Sequence, residues 1–568
     1  MTEGRVLGDD RPADDPTFAG LVAARGEDDR TGLSFEDRSW TWREVVAEAR
    51  LRAGLVRDLA GTGPDPWHVG LFLENGPEHL FWLLGAALAG VPVVELNPTR
   101  RGAELARDIA HTDCGAVVTE TARASLLDGL LDGPAGERGG TGERGGTGER
   151  GGTGERGGTG VPVLVVDGGG YADRLARTAP LGGVPGDDPA TVFCLIFTSG
   201  TTSAPKAVLC SQRRLGRIAV QQAARRNLGR DDVFYVAMPM FHSNALMAGI
   251  APAVATGGRL VLRRRFSASG FLPDVRRYGV TFFNYVGKPL NYILATPEKP
   301  DDADNPLRIA FGNEAAQHDI EAFAARFGCT VIDSYGSSEG EIRIGRVPGT
   351  PPGSLGVAED GVIVADPETL RECPPAEFDE HGRMTNPDDA VGEIVDTRGA
   401  AKFEGYYRNP EATAKRVRNG WVWSGDLAYR DADGYWYFAG RGDDWLRVDG
   451  ENFAAAPLER LLARFDAFAD VAVYAVPDER VGDQVMAAVT LAPGRRFDPA
   501  AFAAFLAGQP DLGTKQAPRY VRVMAELPRT PTNKVVKRPL RDAAWNTGDP
   551  VYVRRSGAFV RLEASPAG

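Results

Sequence analysis

Residues Phe197–Leu209 read FTSGTTSAPKAVL. Hydroxyl side chains, a glycine and a lysine follow directly on the apolar run TVFCLIF (191–197). The run is short enough for a buried strand. Hydroxyls and backbone N–H groups can surround phosphate oxygens, and Gly200 lets the backbone approach them closely. Lys206 adds a compact positive charge. A plain polar turn between a strand and a helix is the competing reading. A Walker A loop is excluded, because it needs GxxxxGK followed by Ser or Thr. Aligned on Gly200, the second glycine becomes Pro205, which has no N–H to donate, and the metal-binding hydroxyl becomes Ala207.

The chain is too long for one compact domain at 568 residues, so two or three folded units are expected. It is 43% hydrophobic and 25% charged, with a net charge of −12, which argues against a dedicated nucleic-acid binder. No apolar run is long enough to span a membrane. The N-terminal MTEGRVLGDDRPADDP is acidic and has no apolar signal core, so a cytoplasmic location is expected. The five cysteines are scattered without a CxxC pair, which argues against a disulfide framework or a zinc site.

Strand-like and helix-like segments alternate through the first 345 residues. HVGLFLEN (68–75), CGAVVTE and VPVLVVDG read as short buried strands. HLFWLLGAALAGVPVVELN (79–97) reads as an apolar helix, a Gly-Val-Pro turn and a strand. This alternation predicts an α/β fold with parallel pairing. Residues 17–60 predict a helix, a strand and a helix. Between the segments CGAVVTE and VPVLVVDG, GERGGT recurs four times from Gly136 to Thr159. The repeat has no apolar anchor and predicts a flexible surface insertion. Around 350–440 glycine, proline and aspartate increase and the strands shorten, predicting a smaller β-rich subdomain. Residues 442–545 predict a compact α+β domain, and 546–568 stay unassigned as a C-terminal tail.

Further blocks follow the opening loop in order: MPMFHS (238–243), RIAFGNEA (308–315), SYGSSEGE (334–341), WVWSGDLAYRDADGYWYFAGRGDDWLRVDGEN (421–452) and LPRTPTNKVVKRPLR (527–541). Together with FTSGTTSAPKAVL they resemble the ordered signatures of the adenylate-forming, AMP-binding enzyme superfamily. Within it they resemble the acyl-CoA synthetases, with features of the fatty-acid and very-long-chain branch. The sequence departs at Ser203 and Ala207, which replace glycines of the loop signature. Ser338 and Ser424 replace threonines, and Asn533 replaces the glycine before the C-terminal lysine.

The resemblance implies a large N-terminal α/β domain (1–441), built of layered sheets and helices plus the β-rich subdomain, and a small mobile C-terminal α+β domain (442–545). It implies ATP and coenzyme A as substrates with Mg2+ as cofactor. Thr198, Ser199, Gly200, Thr201, Thr202 and Lys206 would hold phosphate. Gly312, Asn313, Glu314, Tyr335, Gly336, Ser338, Asp426 and Arg441 would bind the rest of the nucleotide. Glu339 would hold the metal, and Lys534 would be the catalytic lysine, with His242 beside the acyl channel. Asp443 takes the hinge position and Gly450 the coenzyme A channel. Asn284, Tyr285 and Gly287, in VTFFNYVGKPLNYIL (280–294), would shape the acyl pocket. Eight basic residues and one acid between Lys515 and Arg541 suit an anionic ligand, or else form a solvated basic face.

The implied reaction activates a carboxylic acid, a fatty acid foremost, to acyl-AMP and passes it to coenzyme A. An adenylating enzyme of secondary metabolism, acting on an aryl or other small acid or on nitrite with a different acceptor, is the second reading. A non-catalytic nucleotide-binding protein is the third; intact Glu339, Asp426, Arg441 and Lys534 argue against it.

Overall fold

A computed structural model describes residues 16–61, 66–131, 160–198, 206–336, 339, 342–382, 384–441, 445–448, 451–478, 482–513, 515–530 and 535–562. The GERGGT repeats lie outside the described residues, as do Ser199, Gly200, Thr201, Thr202, Ser203, Ser338, Asp443, Gly450, Asn533 and Lys534. Thr198 and Arg441 are described by their backbone alone.

Two mainly parallel sheets form the body of the large domain. One runs, in spatial order, Val163–Val165, Cys114–Thr119, His68–Phe72, Val93–Glu95, Val192–Thr198 and Lys206–Ser211, parallel except for the last pair. The other contains Thr330–Gly336, Ile309–Asn313, Phe282–Val286, Val233–Val236, Arg259–Leu262 and Thr31–Phe35 in parallel, with antiparallel strands at both edges. Strands covered on both faces need no polar alternation. His68–Phe72 is buried throughout, as its unbroken apolar run requires.

Helix Pro77–Ala89 is buried at every residue from His79 to Ala89. It packs on helix Trp42–Ala60, whose start is fixed by a capping box between Thr41 and Glu44. The crossing is close. A Cβ on Gly85 would lie 2.6 Å from the Ala49 carbonyl oxygen, so only glycine fits there. Leu80, Phe81, Trp82, Leu83 and Leu84 join one core cluster with Phe193 and Ile196 of the first sheet and Phe234 and Phe282 of the second.

The β-rich subdomain is an antiparallel sheet of Val362–Ala365, Gly392–Asp396, Trp421–Arg430, Val417–Arg418 and Trp436–Arg441. The small C-terminal domain has its own sheet, centred on the long pair Phe468–Asp478 and Gly482–Leu491. Helices Ala455–Leu462 and Pro499–Ala507 complete it, making it α+β.

The structure revises or completes three readings. Residues 31–41 form a two-strand hairpin, not one strand, because Glu36 takes a left-handed turn at φ 54°. The competing reading of a turn between a strand and a helix gives way, because the segments flanking the phosphate-loop candidate, Val192–Thr198 and Lys206–Ser211, pair as antiparallel strands. The C-terminal tail, unassigned from sequence, carries two strands. Val551–Arg555 and Ala558–Arg561 extend the edge of the small-domain sheet. Val551, Val553 and Phe559 are buried there, and Ser556 and Gly557 make the positive-φ turn between the strands. Among the described residues no helix is long and apolar enough to cross a membrane.

Candidate active site

Four neighbouring parallel strands of the second sheet end at one place. Phe282–Val286 ends before Gly287, Ile309–Asn313 ends in Gly312 and Asn313, Thr330–Gly336 ends in Tyr335 and Gly336, and Val233–Val236 leads to His242. Ligands in open parallel sheets bind outside such carboxyl ends. The sequence-predicted residues thus converge from positions spread between His242 and Gly336, by topology.

Tyr335 and Asp426 meet directly. The Tyr335 hydroxyl donates to Asp426 Oδ2 at 2.6 Å. Burial, with the Asp426 carboxylate beside it, pushes the Tyr335 phenol well above its ordinary value, so it stays a donor. Ser424 shapes the turn before Asp426. Its Oγ accepts from the Asp426 N–H at 3.0 Å and donates to the Asp426 carbonyl at 3.1 Å. A hydroxyl suffices for both bonds, so serine in place of threonine keeps them. Asp426 also faces Arg441 across the strand pair Trp421–Arg430 and Trp436–Arg441.

Glu339 is buried and held on both oxygens. The Tyr406 hydroxyl donates to Oε1 at 2.8 Å. Arg416 approaches Oε2 at 3.5 Å and also donates to the Ser424 carbonyl. Burial works to lower the Arg416 pKa, but Glu339, Tyr406, Tyr335 and Asp426 outweigh it and hold the guanidinium above its ordinary value. Arg214 donates to the Glu339 backbone carbonyl. Lys206 lies with its ammonium 5.2 Å from the centroid of the Tyr406 ring. Segment Gly405–Tyr407 is tied to strand Lys206–Ser211 by backbone bonds from Leu209 to Gly405 and from Tyr407 to Ala207. Tyr406 therefore links the phosphate-loop hairpin to Glu339.

Tyr406, Arg416 and Arg214 were not among the sequence candidates. Arg416 and Tyr406 lie in GYYRNPEATAKRV (405–417), where nothing in spacing marks them as partners of Glu339. The nearest signal is their position just before the WSGD turn.

Among the described residues no group of three or more His, Cys, Asp or Glu is arranged to hold a metal ion. A single carboxylate nevertheless fits Mg2+ that arrives on a nucleotide, since this ion usually keeps waters and phosphate oxygens as its other ligands.

The acyl-side candidates divide. Asn284 donates from Nδ2 to Asn244 Oδ1 at 2.7 Å, and the Asn244 N–H reaches His242 Nδ1 at 3.3 Å. Asn284 therefore stands on the His242 side, beside the π-helical turn Ala245–Ile250, a feature frequent at functional sites. Tyr285, one residue on, points to the opposite face, as strand alternation demands. It is fully buried among Tyr235, Phe283 and Leu290 and donates to Asp333 Oδ2 at 2.9 Å. The two residues cannot line one pocket together. Gly287 has φ +71°, so its backbone alone calls for glycine. Glu314 has φ +70° without being glycine, a strained backbone of the kind that collects at functional sites. Burial raises the Asp333 carboxyl to about 7.

Part of the basic C-terminal stretch is paired within the domain. Arg522 pairs with Asp549 at 2.7 Å, Arg529 with Asp470 at 2.8 Å and Lys537 with Glu459 at 2.8 Å. Three of the eight cations counted in the sequence are thus neutralised by carboxylates within the small domain.

A model of the AMP-binding enzyme family matches residues 22–407, and the AMP-binding enzyme C-terminal domain matches residues 458–534. The chain is 49% identical over 539 residues to steroid-22-oyl-CoA synthetase of Rhodococcus jostii (strain RHA1), covering 94% of this chain and 92% of that protein. It is 46% identical over 550 residues to the medium/long-chain-fatty-acid–CoA ligase FadD17 of Mycobacterium tuberculosis (strain ATCC 25618 / H37Rv), covering 95% and 99%. Among solved structures it resembles ATP-bound MatB from Rhodopseudomonas palustris, with a TM-score of 0.76 at 22% identity over 92% of this chain and 98% of that one. The chain belongs to the AMP-binding enzyme family.

Proposed function

We propose that this protein is a cytoplasmic acid–thiol ligase. It would use ATP to activate an extended apolar carboxylic acid, a fatty acid foremost, to acyl-AMP and then transfer the acyl group to coenzyme A. The carrying observation is the meeting of Tyr335, Asp426 and Glu339 at the carboxyl ends of the parallel strands, beside the Lys206 hairpin. The names of the relatives, a steroid-22-oyl-CoA synthetase and medium/long-chain-fatty-acid–CoA ligases, support the substrate class.

In the first step a carboxylate oxygen bonds to the α-phosphorus and the bond to pyrophosphate breaks. An anion must approach a highly charged nucleotide, so charge neutralisation is the main demand on the protein. Tyr335 would present its ring to the adenine and Asp426 would accept from the ribose hydroxyls. Residues 198–206 would hold the leaving pyrophosphate, and Lys534 would meet the developing charge at the reacting carboxylate. Glu339 would hold Mg2+, which when bound neutralises phosphate oxygens. Tyr406 and Arg416 fix the direction of that carboxylate.

In the second step the sulfur of coenzyme A bonds to the acyl carbon, the thiol proton leaves and the bond to AMP breaks. Residues 1–441 and 442–545 would act as separate bodies, with Asp443 as the hinge and Gly450 beside the incoming thiol.

A panel of fatty acids of graded length, a steroid carboxylic acid and aryl acids, each with and without coenzyme A, tests this reading by pyrophosphate release and mass spectrometry. Acyl-CoA formation from the apolar acids is expected. Pyrophosphate release without any coenzyme A dependence of the product would overturn the ligase reading. Lys534→Ala is expected to abolish acyl-AMP formation while sparing thioester formation from supplied acyl-AMP. Near wild-type acyl-AMP formation would remove Lys534 from its role.

A further inference from the structure

We propose that Lys288, Asp470 and Arg529 form a clasp that fastens the small domain to the large one for the adenylation step, with Lys288 as its positioning residue. The inference rests on the two-step reading above and assigns a role to residues outside it.

Asp470 lies on the long strand Phe468–Asp478 of the small domain, and each of its carboxylate oxygens meets a cation. Oδ1 pairs with the Lys288 ammonium and Oδ2 with Arg529 Nη2 at 2.8 Å. The two cations come from different places. Lys288 belongs to the large domain and directly follows Gly287, at the strand end that carries Asn284. Arg529 belongs to the small domain. It forms a β-bridge with Val535, and the Val536 N–H donates to the Pro528 carbonyl at 2.8 Å. These contacts close the base of the segment that contains Lys534, which directly precedes Val535 in the chain.

The downstream flank is also pinned. Lys537 pairs with Glu459 at 2.8 Å, and Glu459 accepts the Val473 N–H at 2.8 Å. Both anchors of the Lys534 segment therefore end on carboxylates against the same strand. The Asp470 anchor continues across to the large domain through Lys288.

The strength of the contact suits a reversible device. The side chains of Lys288, Asp470 and Arg529 are 32%, 26% and 14% exposed, so solvent partly screens the crossing pair. A tight buried pair would hold the small domain in place and impede the second step. A modest pair shifts the balance between two arrangements and can still release. On release Asp470 loses Lys288 but keeps Arg529, so its charge stays compensated.

The test measures the two half-reactions separately on the full-length protein. Single-turnover pyrophosphate release reports the first, and coenzyme A-dependent consumption of supplied acyl-AMP reports the second. Lys288→Ala is expected to slow the first about two- to fivefold, the range of a partly exposed ion pair, with the second unchanged or faster. Lys288→Arg should restore the first. Added salt should slow the first half-reaction in the wild type and not in Lys288→Ala. Asp470→Asn, which also uncouples Arg529, should slow the first half-reaction more than Lys288→Ala does.

Equal loss in both halves, no loss in either, or failure of arginine to rescue would each overturn the clasp. A melting temperature within a degree or so of wild type for Lys288→Ala separates the effect from misfolding. A wild-type protein that releases no pyrophosphate with any acid would overturn the functional reading instead.

Discussion

At the scale of single residues the site is a problem in holding charge. Glu339 is a buried carboxylate, and a buried charge is costly unless its oxygens are satisfied. Tyr406 and Arg416 meet that demand from outside the recognised motifs. Tyr406→Phe removes a hydrogen bond to a charged group, a loss of about 1.5–3 kcal/mol. Its expected effect is a fall in kcat/KM for ATP of about tenfold or more, with KM for the acid little changed. Steady-state kinetics varying each substrate would check it, and an unchanged kcat/KM for ATP would detach Tyr406 from Glu339. Asp333 makes a second prediction. Its carboxyl holds a proton up to about pH 7 when folded, against an ordinary value of 3.8. Between those values the folded chain binds more protons than the unfolded one, so stability falls as pH rises. The contribution is complete below pH 3.8 and lost through pH 7. Asp333→Asn can still accept from Tyr285 and the Ala315 N–H and has no proton to lose. Relative to the variant, the wild type should lose stability with rising pH at up to about 1.4 kcal/mol per unit. Melting curves of both proteins from pH 4 to pH 8 would show this as a difference that shrinks with pH, and parallel curves would contradict it.

At the scale of elements, the strand ends carry the function and the helices carry the core. Unbroken apolar runs such as VGLF and the helix HLFWLLGAALA were legible because burial on all sides leaves no other pattern. Tyr335, Asp426 and Glu339 were legible from their ordered motifs. Their mutual contacts were not, since the Tyr335 bond to Asp426 joins residues 91 apart. Strand alternation separates Asn284 from Tyr285, although the family resemblance implies both for one acyl pocket. The C-terminal hairpin was missed although VYVRRSGAFVRL alternates and turns on Ser-Gly. It buries Phe559, whose ring lies 5.2 Å from that of Phe502, and brings Tyr552 within 4.7 Å of Phe497. Phe559→Ala should therefore destabilise the small domain by about 3 kcal/mol or more. Denaturant unfolding followed by small-domain tryptophan fluorescence would measure it. A variant as stable as wild type would mean the hairpin adds nothing to that core.

At the scale of the whole molecule, the connection between the two domains is short. Strand Trp436–Arg441 belongs to the β-rich sheet of the large domain, and strand Trp445–Val448 belongs to the sheet of the small one. Only residues 442–444, Gly-Asp-Asp, lie between them. Any rotation of one body against the other must be absorbed by the few backbone angles of this crossing, because strands on either side are fixed by their ladders. The Lys288–Asp470 contact and the bond from Arg460 Nη1 to the Phe438 carbonyl at 3.0 Å hold one arrangement from the side. On the two-step reading proposed above, the crossing and the clasp would act on the same equilibrium, one permitting motion and the other biasing it. Proline at position 443 would fix one φ near −65° and remove an N–H. Asp443→Pro should impair thioester formation from supplied acyl-AMP more than it impairs pyrophosphate release, because the first step needs one arrangement and the second needs a change. Combined with Lys288→Ala, it should still show the second-step defect, since releasing the clasp cannot restore a lost backbone rotation. Equal loss in both half-reactions for Asp443→Pro would move the hinge elsewhere, and recovery of the second step in the double variant would make the clasp, rather than the crossing, the barrier to rotation.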